Sequence, residues 1–388
     1  VESERNLYFD NASTSYPKPG AVYDACDHAL RHVSGSPGRS GHAGWLDADR
    51  LVYRARQAVS RLFNVTDPAR IVFTLNTTDA LNMAIKGILE AGDHVLYTAM
   101  EHNAVLRPLA RLRHEGRITT AMLPCSPEGY PDLDLLQRAL ETPTRLLVVN
   151  HMSNVLGSLL PIEAMVSLAH SRGTCVLVDA AQSAGTVPID LTSLPADLLA
   201  FAGHKGLWGP PGTGGLYVGP GVVLRQWREG GTGGRSGEEF HPEGMPDRLE
   251  AGTCNVPGLA GLCAGVGFVE ETGVDVIHAH AQRSRDRLRR TLERVTGASV
   301  HGPLDSQRCG GVLSVSIAGV DCAQLCAVLA ERYGLICRAG LHCAPGAHRA
   351  AGTYPEGTLR LSPGFFTTGA DLDYLVAAID EASGVLRN

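Results

Sequence analysis

The chain has 388 residues, 44% of them hydrophobic and 19% charged, with a formal net charge of −6. This composition describes a globular protein long enough for two packed domains and excludes a disordered chain. The negative balance, with no Lys/Arg cluster, excludes a general nucleic-acid binder.

The opening stretch VESERNLYFD is charged and lacks the apolar core of a signal peptide. No apolar run is long enough to span a bilayer, so a cytoplasmic protein without a membrane partner is expected. From about residue 68 short β-branched runs appear: IVFT (71–74), HVLY (94–97), RLLVVN (145–150) and TCVLVD (174–179). Between them lie helical stretches, DALNMAIKGILE (79–90), DLDLLQRAL (132–140) and IEAMVSLAHSRG (162–173). Continuous apolar strands with intervening helices predict an α/β fold with a mostly parallel sheet covered on both faces. Ligands of such sheets sit beyond the carboxyl ends of the strands. The residues there are Asn76-Thr77-Thr78, Glu101-His102, Asn150-His151 and Asp179.

The alternation stops at GGTGGRSGEEFHPEG (230–244), a glycine-rich loop with no core pattern. A long helical segment is predicted over roughly 257–296. Strand, strand, helix, strand, loop, strand and helix follow, as in a smaller α+β domain. The ten cysteines are scattered, and most read as small buried apolar side chains. Cys322 and Cys326 lie four apart in a predicted helix, but no matching Cys/His pair follows. Zinc needs three or four converging ligands, so no metal site is expected.

The stretch GHKGLWGPPGTGG (203–215) poses a choice between two chemistries. A phosphate-binding loop of the G-x-x-x-x-G-K-[ST] type requires lysine and a hydroxyl where this chain has Gly215 and Leu216. It must also open a helix, whereas LYVG reads as a strand, so the glycines are a tight turn. Lys205 is the more informative residue. A Schiff-base lysine needs shelter and neighbouring charge to lose its proton. A pyridoxal phosphate site adds a carboxylate for the pyridine nitrogen, donors for the phosphate and a flat partner for the ring. Asp179, Thr77, Thr78 and His102 offer each of these at strand ends.

Taken together, these segments resemble the class V aminotransferase family of fold-type I pyridoxal phosphate enzymes, in particular cysteine desulfurases and selenocysteine lyases. The resemblance runs from YFDNASTSYPKP (8–19) to RLSPGFFTT (360–368), with the motifs in family order. It implies a large domain with a mostly parallel seven-stranded sheet and a smaller α+β C-terminal domain. The expected bounds are 1–20 for a segment joining the small domain, 21–256 for the large domain and 257–388 for the small one, beginning with a long connecting helix.

By motif, the resemblance makes Lys205 of AGHKG the cofactor-linked lysine and Asp179 of VDAAQ the partner of the pyridine nitrogen. Gln182 would bond the ring's phenolic oxygen, and His102 of MEHNA would stack on the ring. Asn154 of HMSNVLG would face the ring oxygen and the substrate carboxylate, which Arg360 of LRLSPG would clamp. Thr77, Thr78 and His204 would cradle the phosphate, and Thr253 of EAGTCN would reach that of a neighbouring subunit. One departure is Ala202 of FAGHK, where many desulfurases carry a hydroxyl for the phosphate.

The stretch ICRAGLHCAPGAHR (336–349) bears on the reaction. Cys343 in R-x-G-x-H-C-A resembles the catalytic cysteine of the shorter-looped desulfurases, with 16 residues between it and Arg360. Nearby cations favour a nucleophilic thiolate, and Arg338, His342 and His348 are the candidates. The expected reaction converts L-cysteine to L-alanine and leaves a persulfide on Cys343. Selenocysteine lyase and cysteine or cystine C–S lyase are the alternatives on this scaffold, and a class V aminotransferase fits Cys343 less well. A homodimer and a sulfur-acceptor protein are implied partners. The loop 34–44, with Arg39 and His42, reads equally as a substrate or acceptor contact and as a surface loop.

Overall fold

The apolar runs of the first half of the chain pair into a single sheet. In the computed structural model, which describes residues 7–38, 43–234 and 237–387, the elements begin with β1 (Leu7–Tyr8), α1 (Gly20–His32) and α2 (Ala43–Leu62). There follow β2 (Ile71–Thr74), α3 (Thr77–Ile88), β3 (His94–Thr98), α4 (Asn103–His114), β4 (Thr119–Leu123) and α5 (Leu133–Ala139). Next come β5 (Leu146–Asn150), α6 (Ile162–His170), β6 (Cys175–Asp179), β7 (Leu198–Ala202) and β8 (Gly214–Val218). The rest comprises α7 (Val256–Thr272), α8 (Val274–Leu292), β9 (Ala298–His301), β10 (Leu313–Ile317) and α9 (Cys322–Tyr333). Last are β11 (Leu335–Ile336), β12 (Arg338–Gly340), α10 (Pro345–Ala351), β13 (Thr358–Leu361) and α11 (Gly369–Arg387).

The large sheet has seven strands in the order β2-β8-β7-β6-β5-β3-β4. Every pairing is parallel except the two made by β8. Strands β5, β7 and β8 are buried at every position, as expected of a sheet with both faces covered. The carboxyl ends of β2, β3, β5, β6 and β7 therefore open on one edge, and that edge collects the residues named above.

Glycines 214 and 215 belong to β8 itself, which runs on into no helix, so the stretch is not a phosphate loop. Strand β8 passes so close beneath the start of α3 that a side chain at Gly214 would lie 2.7 Å from the Asn76 backbone. Glycine is needed for close approach here. Helix α3 starts two residues earlier than its apolar pattern suggests, because Asn76 Oδ1 accepts from the Asp79 amide at 2.9 Å. Thr77 and Thr78 thereby enter its first turn.

A second sheet, four-stranded and antiparallel in the order β12-β13-β10-β9, forms the C-terminal half with α8, α9 and α11. The N-terminal segment joins it: β1 pairs with β11 in parallel, and Phe9 is buried in its core. The single long helix predicted over 257–296 is broken. Gly273, at φ +87, ends α7 and turns the chain into α8, a conformation L side chains rarely adopt. Leu259, Leu262 and Val266 of α7 lie in the core of the large sheet, whereas Leu288 and Leu292 of α8 lie in that of the small one. The chain thus passes from the core of the large sheet to that of the small one at Gly273. No helix among the described residues is long and apolar enough to cross a membrane.

Candidate active site

Two ionisable groups anchor the strand-end edge. Asp179, the last residue of β6, is 3% exposed and accepts from the Ala181 amide at 2.9 Å. Burial raises its carboxyl above the ordinary range, opposed by that amide and by Lys205. Lys205 lies in the turn after β7, where burial pushes its ammonium down to about 8. Asp179 and Asp10 oppose that shift, while Arg360 and Arg338 reinforce it. A lysine so tuned is available as a neutral amine near neutral pH.

Beside them lie candidate donors for an anion. The first turn of α3 offers backbone N–H groups with no intrahelical partner. Thr77 Oγ1 and His204 Nδ1 are buried with no hydrogen-bond partner among the described residues. His204 is held neutral, its pKa lowered to about 4 by burial and by Lys205 and Lys18. Thr78 is exposed. Ala202 ends β7 buried and brings no hydroxyl. Thr253 is exposed ahead of α7, and no hydrogen bond joins it to these groups among the described residues. These orphaned donors suit a phosphate.

His102 caps α4, its Nδ1 accepting from the Ala104 amide at 3.0 Å. Burial and the cations Lys205, Arg338, Arg107 and Arg360 lower its pKa to about 4, leaving a flat neutral ring. Gln182 Nε2 donates one hydrogen to the Ala12 carbonyl at 2.9 Å and keeps a second. Asn154 Nδ2 donates to the His342 carbonyl at 2.7 Å, while its Oδ1 is buried without a donor among the described residues.

The small domain supplies the other wall. Arg360 is 1% exposed; its Nη2 donates to Asp10 Oδ1 at 2.6 Å and to Ser13 Oγ at 2.9 Å, and its Nη1 to the Asn154 carbonyl at 3.1 Å. Its Nε has no partner among the described residues. Arg338 faces Arg360 across the β12–β13 ladder and donates to Ser13 Oγ at 3.2 Å. Half-buried Cys343 sits between β12 and α10 at φ +59, next to His342 at φ +49. The Cys343 carbonyl accepts from the Asn103 amide at 2.7 Å, which places it one residue from His102. Helix α10 docks on the large domain: Ala344 and Ala347 enter its core, and a side chain at Gly346 would collide with the Ala99 carbonyl.

Two of the expected cations near Cys343 are not cations. His342 is 3% exposed with Nε2 facing the Thr358 carbonyl at 3.2 Å, and its pKa is pushed down to about 2 by burial first and Arg360 next. His348, fully buried against Thr353 Oγ1 at 2.8 Å, is lowered to about 4. Desolvation disfavours the charged imidazole at both. Arg338 is the remaining candidate of the three, in register with Arg360 on β13. Cys326, four residues after Cys322 in α9, faces Cys337, with sulfurs 3.7 Å apart.

Asp10 and Ser13 were without a role in the sequence, although both lie in YFDNAS, and the register that brings Asp10 to Arg360 spans 350 residues. Arg39 and His42 fall outside the described residues.

The sequence matches the family described as Aminotransferase class-V over residues 7–375. It is 33% identical to cysteine desulfurase CsdA of Escherichia coli, over 99% of this chain and 95% of that one. It is 32% identical to cysteine desulfurase IscS of Edwardsiella ictaluri, over 98% and 93% of the two chains. Among solved structures, a cysteine desulfurase from Thermococcus onnurineus superposes with a TM-score of 0.88 at 28% identity, covering 98% of this chain and 95% of the other.

Proposed function

Because the chain belongs to the class V aminotransferase family, we propose that it is a pyridoxal phosphate-dependent cysteine desulfurase. It would convert L-cysteine to L-alanine and leave a persulfide on Cys343. The observation that carries this reading is the Asn103–Cys343 bond of 2.7 Å, which seats a cysteine of the small domain beside a strand edge bearing Lys205, Asp179 and His102.

When bound, pyridoxal phosphate supplies an electron sink for the Cα of an amino acid attached to it. The residues present fit it. Thr77, Thr78, His204 and the first turn of α3 would hold the phosphate, with Thr253 serving the site of a second subunit in a homodimer. Asp179 would face the ring nitrogen, Gln182 and Asn154 the ring oxygen, and His102 the ring face. Lys205 would hold the cofactor covalently.

Arg360 would clamp the carboxylate of L-cysteine, its guanidinium fixed in place by Asp10 and Ser13 and aided by Asn154. Lys205, whose ammonium burial pushes down to about 8, would take the Cα proton as a free amine and later return a proton. The Cys343 thiolate attacks the substrate sulfur. A sulfur–sulfur bond forms as the carbon–sulfur bond breaks, and the electron pair left on Cβ is protonated to the methyl group of alanine. Thiol and L-cysteine become persulfide and L-alanine, with no external oxidant. A sulfur-acceptor protein would then collect the persulfide. L-selenocysteine fits the same contacts.

The test is to incubate the cofactor-loaded protein with L-cysteine and measure alanine, pyruvate, sulfide and Cys343-bound sulfur together. Alanine with sulfur on Cys343 is expected; pyruvate in place of alanine overturns the reading in favour of a C–S lyase.

A further inference from the structure

Glu101 is the most deeply buried acid near this edge, fully inaccessible and directly before His102. Its Oε1 accepts two hydrogen bonds, from Thr98 Oγ1 at 2.6 Å and from the Asn150 amide at 2.8 Å. Its Oε2 is buried with no partner among the described residues. Asn150 stands in register beside Asp179 on β5 and β6, and its own Oδ1 is buried without a donor among the described residues. Among the described residues no cation forms an ion pair with Glu101, whose hydrogen-bond partners are Thr98 and Asn150. A carboxylate with one bare oxygen and no counter-charge in a dry interior neutralises rather than remain charged. A protonated carboxyl also brings a donor, which a carboxylate lacks.

We propose that Glu101 is a neutral carboxylic acid and a positioning residue: it ties the end of β3 to the end of β5 and leaves Asp179 as the single carboxylate beneath the cofactor ring. Thr98 on β3, Asn150 on β5, Asp179 on β6 and Cys125 beyond β4 are the groups around it. Burial pushes the Glu101 carboxyl up to about 8; Asp179 adds to that, and the bonds from Thr98 and Asn150 oppose it. The Cys125 thiol, pushed up to about 12 by burial, adds no charge. A second carboxylate here would repel Asp179 and weaken its hold on its own negative charge, which a protonated ring nitrogen requires. The position also sets His102, since Glu101 fixes the backbone one residue before it.

The inference rests on the role proposed for Asp179, but its first two measurements need no cofactor. An infrared difference spectrum of wild type minus Glu101→Gln at pH 7 should contain a carboxylic-acid C=O band, and in wild type that band should titrate away near pH 8. Carboxylate bands alone overturn the proposal. In melting experiments the native state keeps a proton that the unfolded chain releases above about pH 4.5. Wild type therefore loses stability relative to Glu101→Gln as pH rises from about 5 to about 8. A gap that stays constant over that range overturns it too.

With the full chain and pyridoxal phosphate, Glu101→Ala should weaken cofactor binding about tenfold or more, and Glu101→Gln should restore it to within about threefold. Equal losses in the two variants, or none in either, overturn the positioning role. If wild type itself binds no pyridoxal phosphate, the functional reading fails, and the infrared and melting results still decide the state of Glu101.

Discussion

Asn154 Nδ2 donates a 2.7 Å hydrogen bond to the carbonyl of His342, the residue before Cys343. An asparagine of the large domain thus holds the cysteine turn of the small one. Replacing it with alanine should cost about 1 kcal/mol of that anchorage, or about fivefold in the rate of sulfur transfer. Rapid-quench measurement of alanine and Cys343-bound sulfur checks this. Alkylation of Cys343 by iodoacetamide should become faster in the same variant.

His342 and Cys343 both sit in the left-handed region, at φ +49 and +59. Such residues store about 1 kcal/mol or more each. Cys343→Gly should therefore melt higher than Cys343→Ala, by a difference of about 1 kcal/mol. Both variants, like Cys343→Ser, should lose at least about a hundredfold in alanine release from L-cysteine. A serine variant releasing alanine and sulfide at the wild-type rate would overturn the persulfide step.

Burial lowers the folded pKa of Lys205 to about 8 from an ordinary 10.5. At pH 7 about a tenth of the side chain is then neutral, against about one part in three thousand for an ordinary lysine. Colour development on adding pyridoxal phosphate to the cofactor-free protein should quicken about tenfold per pH unit below pH 8 and level off above it. The unfolded chain binds more protons between pH 8 and 10.5, so the cost of burying the ammonium fades as pH rises through that window. Lys205→Met should consequently raise the melting temperature more at pH 7 than at pH 10.5. Borohydride should fix the cofactor to Lys205 in wild type and to no residue in the variant.

Asp10 holds the buried Arg360 at 2.6 Å, with Ser13 as a second acceptor. Asp10→Asn keeps the shape and removes the counter-charge. The guanidinium is then free to turn, and steady-state kinetics should show KM for L-cysteine rising about tenfold with a smaller fall in kcat. Arg360→Lys should do worse, because an ammonium cannot reproduce the two-pronged contact.

Much of the edge was legible because buried parallel strands are written as unbroken apolar runs, and whatever ends such a run lies at the ligand face. Asp179 and His102 were found that way. Arg338 and Asp10 were not given their partnership, because cross-strand register and a contact 350 residues long leave no local trace. The charge of His342 and His348 was misjudged because protonation follows burial, and a histidine in a glycine-rich stretch reads as exposed. The break at Gly273 was missed because apolar residues continue on both sides of it, and only the turn's left-handed backbone reveals the stop.

The reach of the first strand also orders events during synthesis. The large sheet is complete once β8 has left the ribosome, with Lys205 and Asp179 already in place. Asp10 must wait for a guanidinium made 350 residues later, and Phe9 for a core that closes only with β13 and α11. The Asp10–Arg360 pair therefore forms only after nearly the whole chain has been made. A nascent chain halted before Arg360 would contain Lys205 and Asp179 but lack the guanidinium that Asp10 and Ser13 hold.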